Sequence, residues 1–191
     1  TEIAKKYKAN YILTSSNHLN GTERICEGYN KLKNKIKNID LIVDIQGDEP
    51  LISPVHIDEV IKFHTKNLDA DIILPTLQIP PTNNTNIVKV VSNKRKEVMY
   101  LSRQNIPFSF KNIAKKIDKH LSIISFKPKA LVNFSISNQT TYEKIEDVEL
   151  LRALELGFKI KTLNLKGDSF SVDAFEDLIN ARKKMKIDKI F

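Results

Sequence analysis

The clearest structural signal in this sequence is the apolar run Leu41-Ile42-Val43-Asp44-Ile45, which ends at the polar turn Gln46-Gly47-Asp48-Glu49-Pro50. A short apolar run bounded by glycine is typical of a parallel strand that is buried on both faces of a sheet. A helical pattern precedes the run, and a second helix with proline in its first turn follows from Ser53-Pro54. This alternation of strand and helix predicts an α/β layered sandwich with a mixed sheet.

Other patterns predict further elements on both sides of this run. Helices are predicted from 21 to about 37, from 53 onward, over 144–156 and over 175–185, and strands over 10–14, 71–76, 121–126 and 159–165. A loop at 80–86, rich in proline and asparagine, leads into β-rich segments at 87–92 and 98–101 that are joined by a turn at 93–96. We therefore expect a three-layer sandwich in one domain over 1–191, with a small β-rich lobe at about 84–127.

The composition excludes several classes of protein. Hydrophobic residues make up 41% and charged residues 28% of the 191 residues, as in soluble globular proteins. The single cysteine, Cys26, excludes a disulfide framework and a cysteine-based zinc cluster. No apolar run approaches the roughly 20 residues that a membrane helix needs, and no signal peptide opens the chain. We expect a cytoplasmic protein without a membrane partner.

The formal net charge is +8, from 31 basic and 23 acidic residues. The lysines are spread along the chain, aromatic residues make up only 7%, and tryptophan is absent. A nucleic-acid interface favours clustered basic residues with interleaved aromatics, so a solvated surface is the simpler interpretation and we expect no nucleic-acid partner. A basic binding module remains the alternative, although it gives no reason for acidic residues at the ends of strands.

Two aspartates occupy the positions where an α/β sheet binds its ligands. Asp48 follows the most buried predicted strand, and Asp173 lies between the last strand and the last helix. Ligands bind beyond the carboxyl ends of strands in such sheets, and Mg²⁺ prefers a few carboxylates together with phosphate oxygens. A two-carboxylate metal site is one interpretation. A polar turn at Asp48 and a helix N-cap at Asp173 are the alternatives.

Several other polar residues have both a functional and a structural interpretation. Backbone amides in the turn that includes Gly21, Thr22 and Arg24 could meet an anion, or the turn could simply cap a helix. Arg103 could hold a carboxylate with its two-pronged guanidinium, or lie on the surface. His120 and Glu149 are single residues for which structural or solvated roles are the default.

In chain order, seven segments match one family. These segments are 18–24, 43–52, 86–91, 100–107, 119–121, 149–157 and 172–178. The sequence resembles the 3-deoxy-manno-octulosonate cytidylyltransferases, or CMP-Kdo synthetases. The resemblance implies a fold like that of the nucleotide-diphospho-sugar transferases. It also implies a Mg²⁺-dependent reaction of CTP with the sugar acid Kdo, giving CMP-Kdo and pyrophosphate for lipopolysaccharide synthesis, in a homodimer.

The resemblance also implies a role for each matching position. Asp48 and Asp173 match the aspartates that hold the metal. Gln46, Arg103, His120 and Glu149 match positions that line the sugar-acid site. The family's turn near the nucleotide is matched by Gly21, Thr22 and Arg24.

The sequence departs from the family both at the expected phosphate-binding loop and near the expected sugar site. Nothing matches the family's first strand and its phosphate-binding loop, so we expect about 50–60 residues of the domain to be absent before Thr1, which puts the activity of this chain in doubt. Near the sugar, Ser122, Ile124 and Leu150 stand where the family has glycine, tyrosine and glutamine, and Ala174-Phe175 replaces Thr-Pro. These changes leave open another acidic sugar, such as 8-amino-Kdo or an acylneuraminate, or an inactive paralogue.

Overall fold

The computed structural model describes residues 1–188. The described strands are β1 (Ile42–Ile45), β2 (Ile72–Ile79), β3 (Lys89–Ser92), β4 (Val98–Ser102), β5 (Ile117–His120), β6 (Ile123–Phe126) and β7 (Ile160–Leu165). The described helices are α1 (Glu2–Lys6), α2 (Gly21–Leu32), α3 (Pro54–Lys66), α4 (Pro128–Ser135), α5 (Thr141–Glu146), α6 (Leu150–Glu155) and α7 (Phe175–Met185). None of these helices is both long enough and apolar enough to cross a membrane.

The strands form one mixed sheet in the order β1-β6-β2-β5-β3-β4, with β7 paired to β2. The β2–β7 pair is parallel, and the other strand pairs within residues 1–188 are antiparallel. The β3–β4 hairpin pairs with β5, so the β-rich excursion extends the main sheet. The predicted mixed sheet is confirmed. The prediction that 41–45 is a parallel strand buried on both faces is wrong, because β1 pairs only with β6 among residues 1–188, is antiparallel to it at the sheet edge, and leaves Ile45 46% exposed.

Both faces of the sheet carry a hydrophobic core. Along β2, Ile72 and Leu74 belong to a cluster that includes residues of α2, α4 and α6. Ile73 and Leu77 belong to a second cluster, which packs against α3. Because successive side chains of a strand point to opposite faces, one apolar strand supplies both cores. Each fully buried side chain of this kind contributes about 1.5–3 kcal/mol to the free energy of folding. With helices packed on both faces of the sheet, the predicted three-layer sandwich is confirmed.

One side chain in the first core is charged. Arg152 is completely buried and donates hydrogen bonds to Glu143 at 2.6 and 2.8 Å and to Glu23 at 2.9 Å. Its guanidinium also lies over the ring of Phe134, 4.4 Å from the ring centroid. This network joins α2, α4, α5 and α6, and the start of α2 and the α5–α6 junction line the cleft described below.

The predicted helix over 144–156 is wrong in its continuity. The structure has two short helices, α5 and α6, separated at Asp147, whose φ of 51° lies in the left-handed region. Arg103 donates hydrogen bonds to the carbonyl oxygens of Glu146 and Asp147, both at 2.8 Å. Helix α5 ends here because these two carbonyls accept from the Arg103 side chain, just after β4, and not from the amides of a continuing helix.

Three other predicted elements differ from the structure. Residues 10–14 are irregular and not a strand, and Lys31 and Arg24 of α2 bind this segment at the Leu13 carbonyl and the Thr14 hydroxyl. Helix α2 ends at Leu32 and does not continue to 37. Instead of the one strand predicted over 121–126, the structure has two consecutive strands, β5 and β6, and both pair with β2. Helix α4 was not predicted.

Candidate active site

An open cleft of about 550 Å³ lies beyond the carboxyl end of β1. Its walls come from the start of α2, the turn after β1, the ends of β4 and β5, the α5–α6 junction and the segment before α7. The predicted site residues that line it are Gly21, Gln46, Asp48, Arg103, His120, Glu149 and Asp173. The fold thus brings together residues that span more than 150 positions of sequence.

The two candidate metal ligands are joined through the backbone. The amide of Val172 donates a hydrogen bond to the carbonyl oxygen of Asp48 at 2.8 Å, which places the next residue, Asp173, beside the turn after β1. Ser171 donates to Asp173 Oδ2 at 2.9 Å. Partial burial and the negative charges of Glu49 and Asp173 raise the pKa of Asp48. A bound cation would remove this mutual repulsion.

The structure decides against the structural alternative for Asp173. The N-cap of α7 is Ala174, and Asp177 supplies the capping carboxylate by accepting from the amides of Asp173 and Ala174 at 3.1 and 2.9 Å. The Asp173 carboxylate is therefore not used to start the helix. Within residues 1–188 no three His, Cys, Asp or Glu side chains form a metal cluster. The donor set is two carboxylates, which suits Mg²⁺ if substrate oxygens complete its coordination.

Three hydrogen bonds hold the Arg103 side chain in place at the cleft, beside the α5–α6 junction. Besides the Glu146 and Asp147 carbonyls, its guanidinium binds the carbonyl of Thr85 at 3.0 Å. A guanidinium has five N–H groups, so one remains on each terminal nitrogen after these three hydrogen bonds, and Nη2 also lies 3.7 Å from the exposed carboxylate of Asp147. Two such donors match a carboxylate. The structure therefore places Arg103 as a fixed cleft residue and not as a free surface side chain.

Glu149 lines the cleft at the start of α6, and its side chain caps the start of α2. Its Oε2 accepts a hydrogen bond from the amide of Thr22 at 3.3 Å, and burial raises the pKa of its carboxyl. Asp44 lies nearby and is only 7% exposed. Burial, followed by the charge of Glu149, raises the pKa of Asp44 to about 7. The sequence analysis missed Asp44, although a carboxylate within an apolar strand is the signal that could have found it.

Several buried polar atoms around the cleft have no partner within the described chain. They are Asn20 Nδ2, Asp44 Oδ2 and His120 Nε2. Burial, with the positive charge of Lys119, lowers the pKa of His120 to about 4, so its ring is neutral at pH 7. Buried polar groups are nearly always hydrogen-bonded in native proteins. Their grouping at one cleft indicates a site for a polar ligand.

The start of α2 differs from the expected anion site. The amide of Thr22 is bound to Glu149, and the amide of Glu23 is bound to Asn20 Oδ1 at 2.9 Å, so both are already capped. Arg24 does not line the cleft: its exposed side chain donates to Thr14 Oγ1 and the Ser15 carbonyl, both at 2.9 Å. Of the predicted nucleotide turn, only Gly21 lines the cleft, while Thr22 is fully buried next to it.

Comparisons with known proteins give a consistent result. A family model described as cytidylyltransferase matches residues 1–160. The 3-deoxy-manno-octulosonate cytidylyltransferase of Thermodesulfovibrio yellowstonii is 38% identical over 184 residues, which cover 90% of this chain and 72% of the relative. The 8-amino-3,8-dideoxy-manno-octulosonate cytidylyltransferase of Shewanella baltica is 32% identical over 182 residues, covering 93% and 73%.

A solved structure is similar over nearly the whole chain. It is that of CMP:2-keto-3-deoxy-manno-octonic acid synthetase in complex with CTP. The TM-score is 0.86 at 25% sequence identity, and the match covers 97% of this chain and 76% of the other.

Proposed function

This chain belongs to the cytidylyltransferase family, and we propose that it joins CTP to 3-deoxy-manno-octulosonate to give CMP-Kdo and pyrophosphate. The observation that carries the proposal is the convergence of Asp48, Asp173 and Arg103 on one cleft. Paired carboxylates suit a metal-bound phosphate, and a fixed guanidinium suits an acidic sugar. The chain is a nucleotidyltransferase by family, which disfavours the alternative of a basic nucleic-acid-binding module.

The cleft residues supply positioning and charge for the reaction. Arg103 would bind the sugar carboxylate through its two remaining N–H groups. Gln46, neutral His120 and Glu149 offer hydrogen-bond donors and acceptors to hydroxyl groups. In the reaction the anomeric hydroxyl loses its proton, its oxygen bonds to the α-phosphorus of CTP, and the bond to pyrophosphate breaks. Orientation and electrostatic stabilisation account for most of the catalysis in such a transfer.

Asp48 and Asp173 are the residues that would hold Mg²⁺. The raised pKa of Asp48, caused by partial burial and by the charges of Glu49 and Asp173, fits a site that a divalent cation completes. When bound there, Mg²⁺ would neutralise negative charge on phosphate oxygens. Asp48 and Asp173 would otherwise repel both one another and the triphosphate.

The departures from the family near the sugar do not favour a different acid. Ile124 is fully buried and lies opposite Asp44 in the β1–β6 pair, and Leu150 is 1% exposed within the first core. Neither lines the cleft. Ser122 does line it, but its hydroxyl donates to Glu49. We therefore keep Kdo as the proposed substrate, and 8-amino-Kdo and acylneuraminates become test substrates.

The assembly and cellular setting are further parts of the proposal. We propose a homodimer that acts in the cytoplasm and supplies lipopolysaccharide synthesis. Support for a dimer comes from the loop after β4, where Phe108, Phe110 and Ile113 are 83, 84 and 87% exposed. Clustered exposed apolar side chains commonly mark protein contacts.

A substrate panel tests the proposal. The chain would be incubated with CTP, Mg²⁺ and one of Kdo, 8-amino-Kdo or N-acetylneuraminate, and pyrophosphate release would be measured. Release that requires Kdo and is at least tenfold slower with the other acids supports the proposal. Faster release with another acid would transfer the assignment to that acid.

A further inference from the structure

Glu49 is a buried carboxylate that the reaction does not use directly. It follows Asp48 in the chain and is only 5% exposed. Oε1 accepts a hydrogen bond from Ser122 Oγ at 2.8 Å, and Oε2 accepts one from Ser169 Oγ. Both oxygens are thus engaged by serine hydroxyls. Since burying a carboxylate is costly unless it is well hydrogen-bonded, this arrangement needs a reason beyond packing.

The two serines belong to different parts of the fold. Ser122 lies between β5 and β6, whereas Ser169 lies in the segment 166–173 that leads from β7 to Asp173. Glu49 therefore bonds the turn after β1 both to the sheet and to the segment that carries the second metal ligand. The second bond lies four residues before Asp173.

Other contacts hold the same segment. Lys119 Nζ donates to the Ser169 carbonyl at 3.3 Å, and His56 Nε2 bonds the Lys166 carbonyl at 2.8 Å. The amide of Val172 donates to the Asp48 carbonyl. Among these contacts, Glu49 to Ser169 and Val172 to Asp48 are the two that connect the segment to the turn carrying Asp48.

We propose that Glu49 is a positioning residue that holds Asp173 beside Asp48 through Ser169, and so sets the affinity of the two-carboxylate site for a divalent cation. The inference rests on the proposed function for the identity of the site. It does not require Glu49 to touch the cation, because both of its oxygens are occupied by serines. Groups that orient metal ligands typically change metal affinity or activity 10- to 100-fold when they are removed.

Three variants separate hydrogen bonding from charge. Glu49→Gln removes the charge, but its amide can still accept from one serine and donate to the other. Glu49→Ala removes both bonds. Ser169→Ala removes only the bond to the Asp173 segment and leaves Glu49 with Ser122, so it is the variant least disturbing to folding. Ser137→Ala is the matched control, because it loses one hydroxyl bond at the end of α4, away from the cleft.

The test measures position and binding without relying on activity. Hydrogen exchange would follow the Val172 amide, and electron paramagnetic resonance would measure binding of Mn²⁺ alone to the chain. We expect Ser169→Ala and Glu49→Ala to speed exchange at Val172 and weaken Mn²⁺ binding about tenfold. Glu49→Gln should be closer to the unaltered chain than Glu49→Ala, and Ser137→Ala should match the unaltered chain.

The outcomes distinguish this inference from the proposed function. Unchanged exchange at Val172 and unchanged Mn²⁺ affinity in Ser169→Ala would overturn the inference, even if the chain makes CMP-Kdo. Losses in Ser137→Ala as large as those in Ser169→Ala would also overturn it. Faster exchange and weaker Mn²⁺ binding in a chain that activates no sugar acid would support the positioning role while the proposed function fails.

Discussion

The backbone amide of Thr22 donates a hydrogen bond to Oε2 of Glu149 at 3.3 Å, across 127 residues of sequence. This bond joins the start of α2 to the start of α6. It connects the turn expected to meet the nucleotide with an acid expected to meet the sugar. The expected nucleotide and sugar sites are therefore connected by a capping hydrogen bond, in which the Glu149 carboxylate caps the start of α2.

Replacement of Arg103 by lysine should weaken binding of the sugar acid far more than binding of CTP. Lysine cannot present two N–H groups in the fixed fork that a carboxylate matches. We expect the KM for Kdo to rise about 10- to 100-fold, as for loss of a charged hydrogen bond, and the KM for CTP to rise much less. Steady-state kinetics would measure both constants. Arg95→Lys on the exposed hairpin is the control, and an equal rise in the KM for CTP would contradict the assignment of Arg103.

Asp44 should make the folded state more stable in acid than in base. Its pKa is raised to about 7 by burial and by the charge of Glu149, so the folded chain retains a proton that the unfolded chain releases above about pH 4. Stability from this group falls as the pH rises from about 4 to 7. Asp44→Asn should therefore raise the Tm by about 5 °C at pH 8, and by little at pH 4.

Thermal unfolding in EDTA, with exposed Asp58→Asn as the control, would measure this difference. A variant that is equally stabilised at both pH values would show that Asp44 is not protonated preferentially in the folded chain.

His120 should contribute a pH dependence of the opposite sign. Because burial lowers its pKa to about 4, the unfolded chain takes up a proton below about pH 6.5 while the folded chain does not. Stability from this group is present above about pH 6.5 and is lost as the pH falls towards 4. His120→Asn should remove this loss. The free energy of unfolding in urea at pH 7 and pH 5 would measure it, and an identical pH dependence in both chains would refute the prediction.

Arg152 should be essential for stability. Its removal leaves the carboxylates of Glu23 and Glu143 without their charged partner, and breaking a buried ion pair costs about 3–5 kcal/mol. Arg152→Leu should lower the free energy of unfolding in urea by this amount. Arg182→Leu, on the exposed face of α7, should change it by less than about 1 kcal/mol. Substituting both glutamates by glutamine in the Arg152→Leu background should recover part of the loss.

The exposed loop after β4 provides a test of assembly. We expect light scattering with size exclusion to give the mass of a dimer for the unaltered chain. Phe108→Ser combined with Phe110→Ser should shift it towards the mass of a monomer, because these exposed rings would lie in the contact. Ile136→Ser, at an equally apolar exposed position after α4, should leave the mass unchanged. A monomer from the unaltered chain at micromolar concentration would refute the proposed dimer.

Local sequence signals predicted the existence of several elements. The strand ending at Ile45, the proline start of α3 and the turn between β3 and β4 are all determined by neighbouring residues, and the structure has each of them. The burial and direction of that strand were predicted wrongly, because they depend on its pairing with the distant β6. The break at Asp147 was not predictable from its neighbours, because Arg103, which is distant in sequence, bonds the carbonyls that end α5. Residues 10–14 have β-like composition but are irregular in the structure and lie along α2.

The role of Asp48 and Asp173 as metal ligands stays a prediction. The candidate site was predictable in part, because Asp48 after β1 and Asp173 before α7 both line the cleft. It was not predictable where a tertiary contact decides. The expected anion site at the start of α2 is capped by Glu149 and Asn20, and Arg24 points away from the cleft. The role of Glu49 depends on two serines far away in sequence, which no local pattern reveals.

The most direct test of the central claim is formation of the sugar nucleotide itself. Phosphorus NMR would follow CTP with Kdo and Mg²⁺ in the presence of the chain, of Asp48→Asn and of the control Asp58→Asn. We predict a Kdo-dependent CMP-Kdo phosphodiester signal with equimolar pyrophosphate, unchanged in Asp58→Asn and reduced about a hundredfold or more in Asp48→Asn. Absence of the phosphodiester signal from the unaltered chain, or equal signals from the chain and Asp48→Asn, would contradict the account.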